Sequence, residues 1–189
     1  MKAIEGGVCA AKGFSAAGIH AGVKASSSPD KNDLMLIYSR VPCHAWGMYT
    51  QNVVKAASVL VTMEHLKDGT AQAVVANSGN ANACCDGSME NARRMAECAA
   101  RALHVKPEDV VVGSTGVIGQ TINIDAIEKA VPAAAKQLST EGSPAAANAI
   151  MTTDTVPKEA AVSLEIDGKT VHIGGIFKGS GMIHPNLEP

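Results

Sequence analysis

The sequence predicts a mixed fold of the α/β or α+β class, on three observations. Ala92, Met95, Ala96, Ala99 and Leu103 recur at helical spacing, which lines them along one face of a helix over residues 88–103. Elsewhere the apolar residues gather in short runs bounded by Gly, Asn and Asp, the form of buried strands. The two patterns alternate along the chain, and this alternation leaves the order of the strands open.

Taken in order, strands are predicted at 34–38 and 71–76, before the 88–103 helix. Glu90 precedes Arg94 by four residues, and Glu97 precedes Arg101 likewise, so the second face of that helix is expected to carry its own ion pairs. A strand follows at 110–112, shortly after Pro107. The alanine-rich stretch 124–138 is helical, and Pro132 inside it either kinks the helix or starts a second one. A short helix is expected over 144–151. Runs at 161–166 and 170–173 flank Asp167-Gly168, a strong hairpin signal.

Composition limits the function classes. At 189 residues the chain suits one domain, 1–189, or half of a larger structure. Its residues are 46% hydrophobic but only 3% aromatic, so the core is aliphatic. A net charge of -2 speaks against a nucleic-acid binder. No apolar run approaches the ~20 residues of a membrane span. Met1-Lys2-Ala3-Ile4-Glu5 has no apolar leader core, so the expected compartment is the cytoplasm. Cys9, Cys43, Cys84, Cys85 and Cys98 are odd in number and without C-x-x-C spacing; buried free thiols are expected rather than disulfides or zinc ligands. His20, His44, His65, His104, His172 and His184 form no pair at ligand spacing, so no metal is expected.

Three loops are crowded with small polar residues: Asn77-Ser78-Gly79-Asn80-Ala81-Asn82-Ala83, Gly113-Ser114-Thr115-Gly116-Val117-Ile118-Gly119, and Gly174-Gly175-Ile176-Phe177-Lys178-Gly179-Ser180-Gly181-Met182. Glycine lets a ligand approach the backbone, and loops held by strands are where binding groups concentrate. Each also reads as plain structure: the first as an Asx-type turn, the second as a tight turn, and Lys178 as a solvated lysine. None matches a phosphate loop, since Gly179 follows Lys178 where Ser or Thr is required. Met151-Thr152-Thr153-Asp154-Thr155 offers oxygens that suit an amino-acid carboxylate or ammonium group, or simply face water. No G-x-S-x-G elbow exists, because Gly13-Phe14-Ser15-Ala16-Ala17 lacks the second glycine. The chain thus carries candidate binding loops and oxyanion donors but no convincing nucleophile of its own.

In this order the segments resemble the ornithine acetyltransferase (glutamate N-acetyltransferase) family of arginine biosynthesis. To the loops above are added Gly6-Gly7-Val8, Ala11-Lys12-Gly13-Phe14, and Lys178-Gly179-Ser180-Gly181-Met182-Ile183 with Pro185 and Asn186. The resemblance spans essentially the whole chain. It implies a precursor that cuts itself into α and β chains, this chain being α, with the new N-terminal threonine of β as nucleophile. That threonine takes acetyl from N-acetylornithine and passes it to glutamate. Carried onto this chain, Thr115 and Gly116 form the oxyanion hole, and Thr152 and Lys178 contact substrate. The implied fold has two stacked β-sheets enclosed by helices and completed by strands of the β chain. An α2β2 heterotetramer is implied, with no metal and no required cofactor, acetyl-coenzyme A being an alternative acetyl donor in some members.

The family's usual Pro-Asn-Met-Ala-Thr reads here Pro185-Asn186-Leu187-Glu188-Pro189. Proline has no hydroxyl, which leaves three readings: a cut shifted by one residue, an altered end, or an inactive member. Pro189 thus keeps open a non-catalytic amino-acid-binding domain that lost the nucleophile, and a further alternative is an amide hydrolase relative in which water rather than glutamate accepts the acyl group.

Overall fold

The computed structural model describes residues 1–24, 28–181 and 186–188. In chain order the elements are β1 (Lys2–Ile4), β2 (Phe14–Ile19), β3 (Leu34–His44), β4 (Tyr49–Thr50), α1 (Ala57–His65), β5 (Thr70–Asn77), α2 (Ser88–Leu103), β6 (Val110–Ser114), α3 (Ile124–Lys136), α4 (Ser143–Ala149), β7 (Lys158–Ile166), β8 (Lys169–Phe177) and β9 (Leu187–Glu188). The main sheet has the order β2-β3-β5-β6. It is antiparallel except for the parallel pair β5–β6, which α2 joins as the crossover such a pair requires. A second sheet has the order β1-β7-β8, and β4 pairs with β9. The chain is therefore a mixed α/β structure with several sheets and four α-helices.

Period-two burial gives the main sheet two covered faces. On one face Leu34, Leu36, Val75, Val110 and Val112 pack with Val61 of α1, Met95 of α2 and Ile127 and Val131 of α3. Burying each such side chain is worth ~1.5–3 kcal/mol. On the other face Ala16, Met35 and Ile37 meet Ala146 and Ala149 of α4, and Ile176 of β8 packs against them. A side chain at Gly18 would collide with the carbonyl of Ala145. The main chains of α4 and β2 are thus nearly in contact, which a core of alanine and glycine permits and aromatic rings would not.

Register then determines where the loops meet. Ile19 pairs with Leu34, Leu34 with Asn77, and Asn77 with Ser114, so β2, β5 and β6 end, and β3 begins, on one row. Helix α4 runs the same way along β2: Gly142 lies by Ala16 and Ala145 by Gly18. Residues 150–154 therefore emerge at that same end of the sheet.

Most predicted elements are present, several of them longer than predicted, and Asp167 and Gly168 turn the β7–β8 hairpin with φ of 49° and 74°. The exceptions have local causes. Helix α3 runs through Pro132 as one element, anchored by the buried Ile127 and Val131. The ion pairs expected within α2 are replaced by pairs between helices: Arg94 reaches Asp125 at 2.9 Å and Glu128 at 2.8 Å on α3, and Arg93 reaches Glu64 on α1 at 3.1 Å. Of the five free cysteines only Cys98 is buried, while Cys84 is exposed. Gly174 to Phe177, expected in a loop, complete β8; a side chain at Gly174 would strike the carbonyl of Gly7.

Candidate functional site

Two clusters of polar residues stand at the common end of the main sheet. The first joins the loops that leave β5 and β6. Thr115 N–H donates to Asn77 O at 3.0 Å, Ala81 N–H to Val117 O at 2.9 Å, and Gly119 N–H to Ala83 O at 2.9 Å. The loops are thereby zipped together. Gly116 has φ of 137°, and a Cβ there would lie 2.6 Å from the Asn80 nitrogen, so backbone angle and space both require glycine. The Gly116 N–H has no backbone acceptor among the described residues, and no hydrogen bond from the Thr115 hydroxyl is seen there.

The asparagines hold this frame. Asn77 Nδ2 donates to Asn80 O at 2.9 Å, and Asn82 N–H donates to Asn80 Oδ1 at 2.7 Å, the Asx turn that the sequence allows. Asn77 Oδ1, Ser78 Oγ, Asn82 Oδ1 and Ser114 Oγ are buried without a hydrogen-bond partner among the described residues. Leaving such atoms unpaired costs ~1–3 kcal/mol each. They surround the loop pair that presents Thr115 and Gly116.

The second cluster joins the turn after α4 to the loop after β8. Lys178 Nζ donates to Thr152 Oγ1 at 2.8 Å and to Asp154 Oδ2 at 3.2 Å. It is not a lysine standing free in solvent. Lys158 Nζ and Gly179 N–H donate to Asp154 Oδ1 at 2.8 and 2.9 Å. The Asp154 side chain is only 3% exposed, yet the Lys158 ammonium, with the Gly179 N–H and Lys178 beside it, holds its carboxyl well below the usual carboxylate range against the opposing effect of burial. Sequence reasoning named Asp154 only as part of a hydroxyl-rich segment and did not foresee its contacts with both lysines. The signal was Lys158 four residues on, together with a second lysine in a glycine loop.

Thr152 and Asp154 line an open cleft of about 330 Å³ with Ser28, Asp30, Lys31, Asn148 and Met151. Thr115, Gly116 and Lys178 do not line it. The segment between β2 and β3 links the clusters: Asp30 and Lys31 border the cleft, and Asp33 O accepts the Ser78 N–H at 2.9 Å. Met182, Ile183, His184, Pro185 and Pro189 lie outside the described residues. Among the described residues no group of three His, Cys, Asp or Glu side chains could hold a metal, and no helix is long and apolar enough to cross a membrane.

The ArgJ family model matches residues 15–188. The chain belongs to the ArgJ family. It is 53% identical over 188 residues to the arginine biosynthesis bifunctional protein ArgJ of Symbiobacterium thermophilum and 46% identical to that of Caldanaerobacter subterraneus. It covers 99% of itself but 46% of each relative, and so spans about half the length of these ArgJ proteins. Among solved structures it is similar to ArgJ of Bacillus halodurans, with a TM-score of 0.89, 42% identity, and 98% and 97% of the two chains covered. It is also similar to an ornithine acetyltransferase of Mycobacterium tuberculosis complexed with ornithine, with a TM-score of 0.90, 38% identity, and 99% of each chain covered. The ArgJ match includes both polar clusters, whose order along the chain is the one by which the sequence resembles this family.

Proposed function

We propose that this chain is the α subunit of an ornithine acetyltransferase. Together with a β chain it would move acetyl from N-acetylornithine to glutamate, giving ornithine and N-acetylglutamate. The observation that carries the reading is the 38% identity over 99% of both chains with an ornithine acetyltransferase that binds ornithine.

The chemistry needs a nucleophile, and the reading assigns it to the N-terminal threonine of the β chain. Its hydroxyl oxygen bonds to the acetyl carbon while its terminal amine takes the proton. The carbonyl oxygen becomes an oxyanion, which the Thr115 O–H and Gly116 N–H stabilise. Their free donors, rigidly framed by the zipped loops, support that role. The C–N bond then breaks, ornithine leaves with the proton, and the acetyl group remains as a threonine ester. The amine of glutamate then forms a C–N bond to the ester carbon through the same oxyanion and gives its proton to the terminal amine of the threonine; the C–O bond breaks, and that proton passes to the threonine oxygen, regenerating the hydroxyl. Lys178 and Thr152 hold substrate; an ammonium and a hydroxyl 2.8 Å apart suit a carboxylate. None of these steps needs a metal or a cofactor, and acetyl-coenzyme A would be an alternative donor.

The partner is supported by the surface. Trp46, Val53 and Val54 are 82%, 97% and 72% exposed. Strands β6 and β8 are sheet edges with no further strand among the described residues. Strands from a β chain would extend these edges and complete two stacked sheets, in a cytoplasmic α2β2 assembly.

The test is Thr115→Ala in the full-length enzyme. We expect kcat to fall ~10²–10³-fold with little change in KM. Unchanged turnover would remove Thr115 from the oxyanion hole.

A further inference from the structure

We propose that Asp154 is a positioning residue of the substrate pocket: its buried carboxylate holds the Lys178 ammonium against the Thr152 hydroxyl across the open end of the β7–β8 hairpin. The inference rests on the reading of Lys178 and Thr152 as substrate contacts.

The hairpin ends at the pair Lys158 and Phe177. Beyond it the 152–157 turn and the 178–179 loop have no strand ladder to align them. Asp154 supplies the alignment. Its Oδ1 accepts from Lys158 Nζ and from Gly179 N–H; its Oδ2 accepts from Lys178 Nζ and, at 3.4 Å, from Thr152 N–H. Oδ1 thus ties the first residue of β7 to the loop after β8, and Oδ2 ties the turn before β7 to that same loop. Glycine at 179 permits the approach, since a Cβ there would lie 2.8 Å from Oδ1. With its side chain 3% exposed and both oxygens engaged, Asp154 has little to offer a substrate directly. It also leaves the pair of lysines with a net positive charge, which suits the carboxylate that both proposed substrates carry. Without it, Lys178 would be a flexible ammonium with Thr152 as its remaining side-chain partner.

The test is a double-mutant cycle in the full-length, processed enzyme with N-acetylornithine and glutamate. Asp154→Asn and Lys178→Ala should each raise KM about 10-fold, with a much smaller change in kcat. The double variant should be no worse than Lys178→Ala alone, because Asp154 acts through Lys178. Losses that multiply in the double variant, or an unchanged KM in Asp154→Asn, would overturn the inference. Should Asp154→Asn fail to fold, Asp154→Glu enters the same cycle: it keeps the charge but displaces the oxygens, and the same non-additivity is expected. An unmodified enzyme that transfers no acetyl overturns the proposed function and this inference with it. An active enzyme with a multiplicative cycle overturns the inference alone.

Discussion

Asp154 is ionised inside the protein because its donors outweigh the desolvation of its charge. That balance gives a signed pH dependence. A carboxyl whose folded pKa is depressed stabilises the fold above its unfolded value, near ~3.9, and loses that contribution as pH falls through the folded value. The melting temperature of the unmodified protein should therefore exceed that of Asp154→Asn by a constant margin from pH 7 to about 4. The margin should shrink below that. A margin that is steady down to pH 2, or that grows on acidification, would show that the carboxylate is not held charged by its neighbours. The residues proposed for the site come from the sequence. Thr115, Gly116, Thr152 and Lys178 were named from sequence through a family resemblance, and in the fold Thr115 adjoins Gly116 while Lys178 meets Thr152. Asp154 was not singled out: Lys158 four residues on was legible, but the burial of the Asp154 side chain and its meeting with Lys178 arise only in the fold.

At the scale of elements, legibility followed side-chain size. Helix α2 was readable from its stripe, with Ala92, Met95, Ala96 and Ala99 all buried. Strand β2 was not, because Ala16, Ala17 and Gly18 carry no strand preference; pairing with β3 and packing by α4 impose the strand. Helix α1 was missed for a related reason. Its Val59, Val61 and Thr62 favour strands, and it is fixed instead by tertiary bonds, Thr62 Oγ1 donating to Val112 O and accepting from Val112 N–H at 2.9 and 3.0 Å. Two substitutions test this level. Gly18→Ala should cost ~1–3 kcal/mol by forcing α4 off β2, read as a lower denaturation midpoint. Met95→Ala should cost ~2–5 kcal/mol by leaving a cavity under α2. Neutrality at Gly18 would mean that the helix and strand are not in close contact.

The whole molecule joins a well-packed sheet to surfaces that look unfinished. The helical face of the main sheet is closed by α1, α2 and α3. By contrast Trp46, Met48, Val53 and Val54 lie open, and β6 and β8 are edge strands with no further strand beside them among the described residues. Exposed apolar surface of this kind is what the proposed β chain would cover. None of it was readable in the sequence, since an apolar residue does not reveal whether its cover comes from its own chain. The same division runs through the chemistry: the donors proposed for the oxyanion are here, and the attacking hydroxyl is assigned to the partner. The most direct measurement is acetyl transfer from N-acetylornithine to glutamate, assayed with this 189-residue chain alone and with the complete precursor. Transfer by the complete protein and none by the isolated chain is the expected result; robust turnover by the isolated chain would contradict the shared site.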